Sequence, residues 1–386
     1  MTAFFAAHRR DDVRQLALRL AGDKSIDRTF MLNQIAGWQT ACSKLPSWAT
    51  RDDIVYGPHL ALEQCSSEAT ARHKATLVVG DELVDLTGGL GVDFSFMAKN
   101  CRKATYVERQ PELCRIAAHN FEVLGLTNVQ VVNGDGVEHL RAMPPTGTIF
   151  LDPSRRDTHG ARVVALQQCE PDLTTLATLL LEKAQRVIVK LSPMLDWHKA
   201  LDELPCVRQI HLVGTDAECK ELLLVMEGNG NDSVQMHCVN DEGDFAYDLH
   251  EGVPPSPLWH GDHGSTTPTY LYEPHATVMK AGCFDLLAAR FNAAQVARDS
   301  HLFVANEWHP AFPGRKFVLT GCCTLSKQDV KKQLNGMQQA NVAVRNFPMS
   351  APQLAKRLHL GDGGDCYIFG TTLATGQHVL LIGRKH

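Results

Sequence analysis

The segment Asp152-Pro153-Ser154-Arg155-Arg156 holds the residues of this chain best suited to bond chemistry. A carboxylate beside a proline carbonyl can accept two hydrogen bonds from one amine, turning its lone pair toward an electrophile. Asp152, Pro153 and Ser154 are therefore the candidate catalytic residues. Arg155 and Arg156 carry guanidinium forks that match phosphate or carboxylate; salt bridges to Asp157 and nearby acids are the alternative. Lys190 and Ser192 end another apolar run, Arg186 to Leu191, and are candidates for the same substrate rim. No cysteine lies in Asp152–Arg156 or Lys190–Pro193, which argues against a thiolate nucleophile.

A second constellation could hold a ligand. Asp85-Leu86-Thr87-Gly88-Gly89-Leu90-Gly91 follows an apolar strand pattern and precedes helical spacing in Val92–Lys99. Glycines in such a turn let the backbone approach a ligand, and the helix start offers free N–H groups. Glu108 stands 17 residues after Gly91 at the end of the next strand pattern, close to the spacing of about 20 for an acid that binds ribose hydroxyls. Arg109 follows it. Asp135 and Gly136 end a third strand pattern, Val129 to Val132.

These residues need a frame. Five strand patterns, each ending in a polar or glycine signal, alternate with helical patterns such as Pro111–Asn120. That order predicts a parallel α/β sheet with its ligands beyond the carboxyl ends. Val207–Val213 and Leu222–Glu227 would complete seven strands, the last antiparallel. Residues 1–75 read as a helical N-terminal region, with Leu60–Lys74 as one helix. Gln64, Ser66 and Ser67 on it are candidates to approach a ligand at the glycine turn, with surface or capping roles as the alternative. Residues 76–245 make the sheet domain. Leu249–Pro268, rich in Pro, Gly and Ser, reads as a linker. Its His260, Asp262 and His263 read as part of a flexible segment rather than as metal ligands. Residues 268–386 read as an α+β domain, with helices at Ala276–Phe291, Lys327–Ala340 and Pro352–Leu360. Its strands are expected at Lys316–Leu319, Asn341–Val344, Cys366–Phe369 and His378–Ile382.

The ordered set resembles the class I S-adenosylmethionine-dependent methyltransferases. Asp85 to Gly91 looks like their D-x-G-x-G-x-G motif, with Thr87 replacing the first glycine. Asp152-Pro153-Ser154 looks like D/N-P-P-Y, with Ser154 and Arg155 replacing the last two residues. The resemblance implies S-adenosylmethionine as cofactor and a Rossmann-like seven-stranded sheet. It implies cofactor-binding roles for Asp85, Thr87, Gly89, Gly91, Glu108, Arg109, Asp135 and Gly136. Leu62–Ala71, Glu218-Cys219-Lys220-Glu221, Tyr272-Glu273-Pro274 and Arg345-Asn346-Phe347-Pro348 are similar to a bacterial methyltransferase family with a THUMP-like C-terminal domain. The tract from Ala117-Ala118-His119-Asn120 to Val129 resembles a segment common in tRNA and rRNA methyltransferases.

Composition limits the alternatives. The 386 residues contain 44% hydrophobic and 21% charged residues and no run long enough to span a membrane. The N-terminus lacks signal-peptide character, and twelve scattered cysteines without C-x-x-C spacing fit reduced cytoplasmic thiols and no structural metal. Net charge is −5, yet the part from Pro268 onward carries 13 basic and 7 acidic residues. That asymmetry fits RNA contact, and equally a solvated surface. The expected function is N-methylation of a base in tRNA or rRNA; without a cysteine, 5-methylcytosine formation is disfavoured. The alternatives are a protein or small-molecule methyltransferase, or a non-catalytic RNA-binding protein. A dehydrogenase would leave Asp135 and Asp152-Pro153 unexplained.

Overall fold

The computed structural model describes residues 2–20, 27–155, 166–228, 233–259 and 269–386. They divide into two compact units: Met1–His211 with Glu221–Gln235, and Leu212–Lys220 with Met236–His386. Among the described residues, no helix is long and apolar enough to cross a membrane.

The first unit opens with six helices: α1 (Thr2–His8), α2 (Val13–Arg19), α3 (Arg28–Lys44), α4 (Pro46–Ala49), α5 (His59–Gln64) and α6 (Glu68–Thr76). Side chains set several starts. Asp12, Asp27 and Ser67 each accept a first-turn N–H of α2, α3 and α6. The Ser67 cap explains a departure from expectation. Leu60–Lys74 is not one helix but two, because Cys65 and Ser67 are extended and α6 starts afresh behind Ser67. Trp48, Ile54, Tyr56 and Leu62 from this region form one core with Leu90, Val92 and Phe96. Burial of such large side chains, at about 1.5–3 kcal/mol each, fixes the helical region against the glycine turn.

The sheet follows as β1 (Glu82–Asp85), α7 (Val92–Met97), β2 (Lys103–Glu108), α8 (Pro111–Val123), β3 (Val129–Asn133), α9 (Gly136–Ala142) and β4 (Thr146–Leu151). A two-residue ladder, β5 (Ser154–Arg155) with β6 (Cys169–Glu170), precedes α10 (Leu173–Lys183), β7 (Ala184–Leu191), α11 (Trp197–Glu203), β8 (Val207–Gly214) and β9 (Cys219–Glu227). Within the first unit the strands lie in the order β3-β2-β1-β4-β7-β9-β8. β1 to β4 and β7 pair in parallel, and β9 runs antiparallel to β7. All six residues of β4 are buried, as expected for a central strand covered on both faces. Every parallel strand therefore points its carboxyl end to the same rim.

The second unit contains a hairpin, β10 (Gln235–Asn240) and β11 (Gly243–Asp248), that sequence patterning did not show. It continues through β12 (Thr269–Pro274), α12 (Ala276–Ala281), α13 (Phe284–Arg290), β13 (Ala294–Gln295), β14 (Phe303–Ala305) and β15 (Gly314–Thr324). Then come α14 (Lys327–Gln333), β16 (Asn341–Arg345), α15 (Ala351–Leu358), β17 (Cys366–Thr372) and β18 (His378–Lys385). Seven of these strands form a mixed sheet, β13-β14-β12-β15-β18-β17-β16. The expected helix Ala276–Phe291 breaks at Gly282, whose φ of +74° caps α12. The helix expected over Lys327–Ala340 stops at Gln333.

Candidate active site

The glycine turn is held by side chains on all sides. Asp85 is buried, and its Oδ1 accepts the Thr87 N–H at 2.9 Å. Burial pushes its carboxyl up to about 8, with repulsion from Asp93 and Asp152 adding to the effect and the Thr87 bond opposing it. Gly91 has φ of +71°, and an added Cβ would lie 2.6 Å from the Phe121 ring. Phe121, Phe94 and Tyr106 form an aromatic cluster with centroids 5.0–5.6 Å apart. Tyr106 donates its hydroxyl to the Gly89 carbonyl. Gly89 itself has φ of +61°, which a side-chain-bearing residue adopts only with strain.

Glu108 ends β2 beside this turn. Its Oε2 accepts the Gly89 N–H at 2.9 Å and its Oε1 the Gln110 N–H at 2.7 Å. A cavity of about 620 Å³ opens there, lined among others by Thr87, Glu108, Arg109, Asp135, Arg141 and Asp152. Asp135 caps α9 through Oδ1, which accepts the Val137 and Glu138 N–H groups at 2.8 and 3.0 Å. Gly136 is the first residue of that helix and also lines the cavity. Arg109 pairs with Glu170 at 3.0 Å and lies 4.0 Å from Asp135. The bond to Glu170 raises the guanidinium above its ordinary value.

Asp152 stands directly past β4 on the same cavity. Its backbone N–H donates to Thr87 Oγ1 at 2.6 Å. Its carboxylate, 44% exposed, accepts from Lys190 Nζ at 2.7 Å. The register explains this meeting: Leu151 pairs with Val189, so the next residue on each strand shares one rim. Lys190 also lies 3.5 Å from Asp93. Desolvation opposes its charge, but Asp152, Asp93 and Glu221 outweigh that penalty and hold the ammonium above the ordinary lysine value. Behind Lys190 lies a buried polar network. Lys74 Nζ contacts Glu221, Asp93 Oδ1 at 3.2 Å and Ser66 Oγ at 3.2 Å. Ser66 Oγ lies 2.7 Å from Asp93 and 2.9 Å from Glu221, and Thr70 donates to Glu221 at 2.9 Å. Burial raises the Glu221 carboxyl, but Lys74 and Lys190 overcome that and lower it.

Most sequence-predicted site residues are thus brought to one rim. Ser154 lines the cavity and pairs with Glu170 in the short ladder. Ser192 caps the turn after β7, accepting the Met194 N–H at 3.3 Å. Gln64 is exposed at the end of α5, while Ser66 is buried in the network just described. Arg156 and the His260–His263 stretch lie outside the described residues, as does the Arg155 side chain. Sequence reading missed Arg141 and the roles of Lys74 and Asp93. Asp93 was detectable as a first-turn acid behind a glycine turn; a mid-helix lysine gives no such signal.

In the second unit, two motif segments meet. Glu273, 4% exposed, accepts Arg345 through Oε1 at 2.8 and 3.0 Å and Arg315 through Oε2. Arg345 and Arg315 thus share one carboxylate. Lys327, Lys331, Lys332, Lys356 and Arg357 are exposed. His275 is flanked by Asp216 and Glu242 at 3.3 Å each, and Lys316 lies 3.1 Å from Glu242.

A parallel sheet with one antiparallel strand, a glycine turn and a ribose-spaced acid on one cavity define an S-adenosylmethionine-dependent methyltransferase. Comparison with known proteins agrees. Residues 56–161 match the protein-L-isoaspartate (D-aspartate) O-methyltransferase family model, 270–313 a ferredoxin-like domain and 314–385 a THUMP-like domain. A crystal structure of a protein from Porphyromonas gingivalis W83, described as a methyltransferase, is 33% identical with a TM-score of 0.85. It covers 99% of this chain and 96% of its own. An uncharacterized S-adenosylmethionine-dependent methyltransferase from Mycobacterium tuberculosis, matched in strains CDC 1551 and H37Rv, is 21% identical over 323 residues. That match spans 82% of this chain and 84% of the relative. The chain belongs to the family of S-adenosylmethionine-dependent methyltransferases with ferredoxin-like and THUMP-like C-terminal domains.

Proposed function

We propose that this enzyme N-methylates a base in tRNA or rRNA, and that Asp152 receives the target amine. The observation that carries the reading is the Asp152 carboxylate, open to the cavity beside Thr87 and anchored by Lys190. The sulfonium cofactor supplies an activated methyl group, so the protein needs chiefly to orient the acceptor. Asp152 accepts one amine hydrogen and the Pro153 carbonyl the other. Ser154, Lys190 and Ser192 shape the target side. Arg155 and Arg156 meet phosphate.

The residues fit the cofactor by the chemistry of their donors and acceptors. Glu108 accepts the ribose hydroxyls. Asp135 faces the adenine amine, with Gly136 and Arg109 beside it. Asp85, Thr87, Gly89 and Gly91 form the turn under the amino-acid end, with Gln64 and Ser66 nearby. The division of labour places the helical region at 1–75, methyl transfer in 76–245 and RNA contact in 268–386. The THUMP-like match and the exposed lysines of α14 and α15 support the last assignment. Twelve free cysteines fit a cytoplasmic enzyme.

The test is mass spectrometry of nucleosides from total RNA with and without the gene. Loss of one methylated nucleoside, restored by the wild type and not by Asp152→Ala, supports the reading. A second reading has its own observation: among the described residues, five carboxylates and two arginines line the cavity, which suits a cationic amine of a protein or small molecule. An unchanged nucleoside profile would favour it.

A further inference from the structure

Thr87 departs from the glycine expected at its place in the turn, and its hydroxyl has a specific task. The last backbone bond tying β1 to β4 runs from the Leu86 N–H to the Phe150 carbonyl at 3.1 Å. Beyond it the two chains would separate. Instead Thr87 Oγ1 accepts the Asp152 N–H at 2.6 Å, carrying the ladder on by one side-chain bond. Thr87 Oγ1 itself lies 3.4 Å from Asp85 Oδ1, which leaves its hydrogen directed at the buried acid. The Asp152 side chain has a second tether. Lys190 holds its carboxylate and lies 3.5 Å from Asp93, in the first turn of α7. Thr87 and Asp93 bracket Gly88–Gly91, so both tethers start from the ends of the glycine turn.

We propose that Thr87 is a positioning residue for methyl transfer: its hydroxyl, with the Asp93–Lys190 pair, locks the Asp152 segment in register with the glycine turn. The inference rests on Asp152 as the residue that receives the target amine. Transfer requires donor carbon, acceptor atom and lone pair in line, and misplacement by about 1 Å can cost on the order of a hundredfold in rate. A residue fixed at its backbone by one end of the cofactor turn and at its carboxylate by the other moves with that turn.

The test compares Thr87→Val, which keeps the shape and removes the hydroxyl, with Thr87→Ser, which keeps the hydroxyl. One readout needs no substrate: hydrogen exchange at the Asp152 amide, followed by NMR in full-length protein. Exchange should rise about tenfold in Thr87→Val and return to near wild type in Thr87→Ser, because the amide loses and regains its partner. The second readout is transfer to RNA from cells lacking the gene. Here kcat should fall about 10–100-fold in Thr87→Val and recover in Thr87→Ser. S-adenosylhomocysteine affinity by calorimetry separates this role from Thr87's place under the cofactor: the fall in kcat should exceed any fall in affinity, and Thr87→Ser should restore it. Unchanged amide exchange in Thr87→Val overturns the proposal. So does faster exchange with undiminished transfer, or a Thr87→Ser variant as impaired as Thr87→Val. A wild type that leaves RNA unmethylated counts against the RNA reading alone, and the exchange result still decides the clamp.

Discussion

Lys74 and Glu221, 147 residues apart in the sequence, meet as an ion pair whose side chains are 0% and 6% exposed. The contact joins α6, in the helical region, to β9 of the sheet. Asp93 at 3.2 Å and Ser66 complete the shell, so the charges are compensated rather than merely enclosed.

Removing one partner should therefore cost more than the pair itself is worth. Lys74→Met leaves Asp93 and Glu221 with Lys190 as their remaining ammonium, a loss of about 3–5 kcal/mol by the usual cost of a broken buried pair. Urea unfolding followed by fluorescence should show an earlier transition. The double variant Lys74→Met with Glu221→Leu should recover part of the loss. A midpoint unchanged in Lys74→Met would mean the network contributes nothing to stability.

Glu108→Ala should weaken S-adenosylhomocysteine binding by about 1.5–3 kcal/mol, the range for hydrogen bonds to a charged group. Calorimetry measures it. The same variant removes the acceptor of the Gly89 and Gln110 N–H groups. Glu108→Gln, which keeps one acceptor, should lose less. Equal losses in both would locate the effect in charge rather than in bond geometry.

The sheet and its carboxyl-end rim were legible because alternating patterns and polar strand ends are local signals. Glu108 could be picked out from its spacing to the glycine turn, and Asp135 and Asp152 from their places at strand ends and the motif resemblance; the structure brings all three to one cavity. What sequence could not show depended on partners distant in the chain. Lys74 looks like an ordinary helix lysine until Glu221 is folded onto it. Glu273 and Arg345 lie in two separate motif segments, and nothing local showed that they pair. The break at Ser67 was written in a capping serine, but apolar spacing on both sides masked it. Strand β14 is only three residues long and carried too little pattern to register.

Asp85 gives the unliganded protein a pH dependence. Its ordinary carboxyl value of 3.8 is raised to about 8 in the folded chain, first by burial. The folded state keeps this proton to higher pH than the unfolded chain does. The group's contribution is therefore largest at low pH and declines as pH rises from about 4 to about 8. A one-proton difference corresponds to about 1.4 kcal/mol per pH unit at most. Asp85→Asn can still accept the Thr87 N–H and cannot ionise, so it should flatten the decline. Urea midpoints of both proteins at about pH 5 and about pH 8 would test this. Parallel pH profiles would show that Asp85 is ionised throughout.

The exposed bases of the second unit make the last prediction. Lys331 and Lys332 close α14, and Lys356 lies in the last turn of α15. All three are exposed, whereas Arg345 is bound to Glu273 and is left out of the test for that reason. Phosphate contacts release counterions, so RNA affinity should fall steeply with salt. Replacing the three lysines by glutamate should weaken RNA binding and flatten the logarithmic salt slope by roughly 2–3, near one unit per lost contact. S-adenosylhomocysteine affinity should not change, because none of the three lines the cavity. Filter binding across a salt series measures the slope. A wild-type affinity that is independent of salt, or a triple variant with the wild-type slope, would assign these lysines to a merely solvated surface.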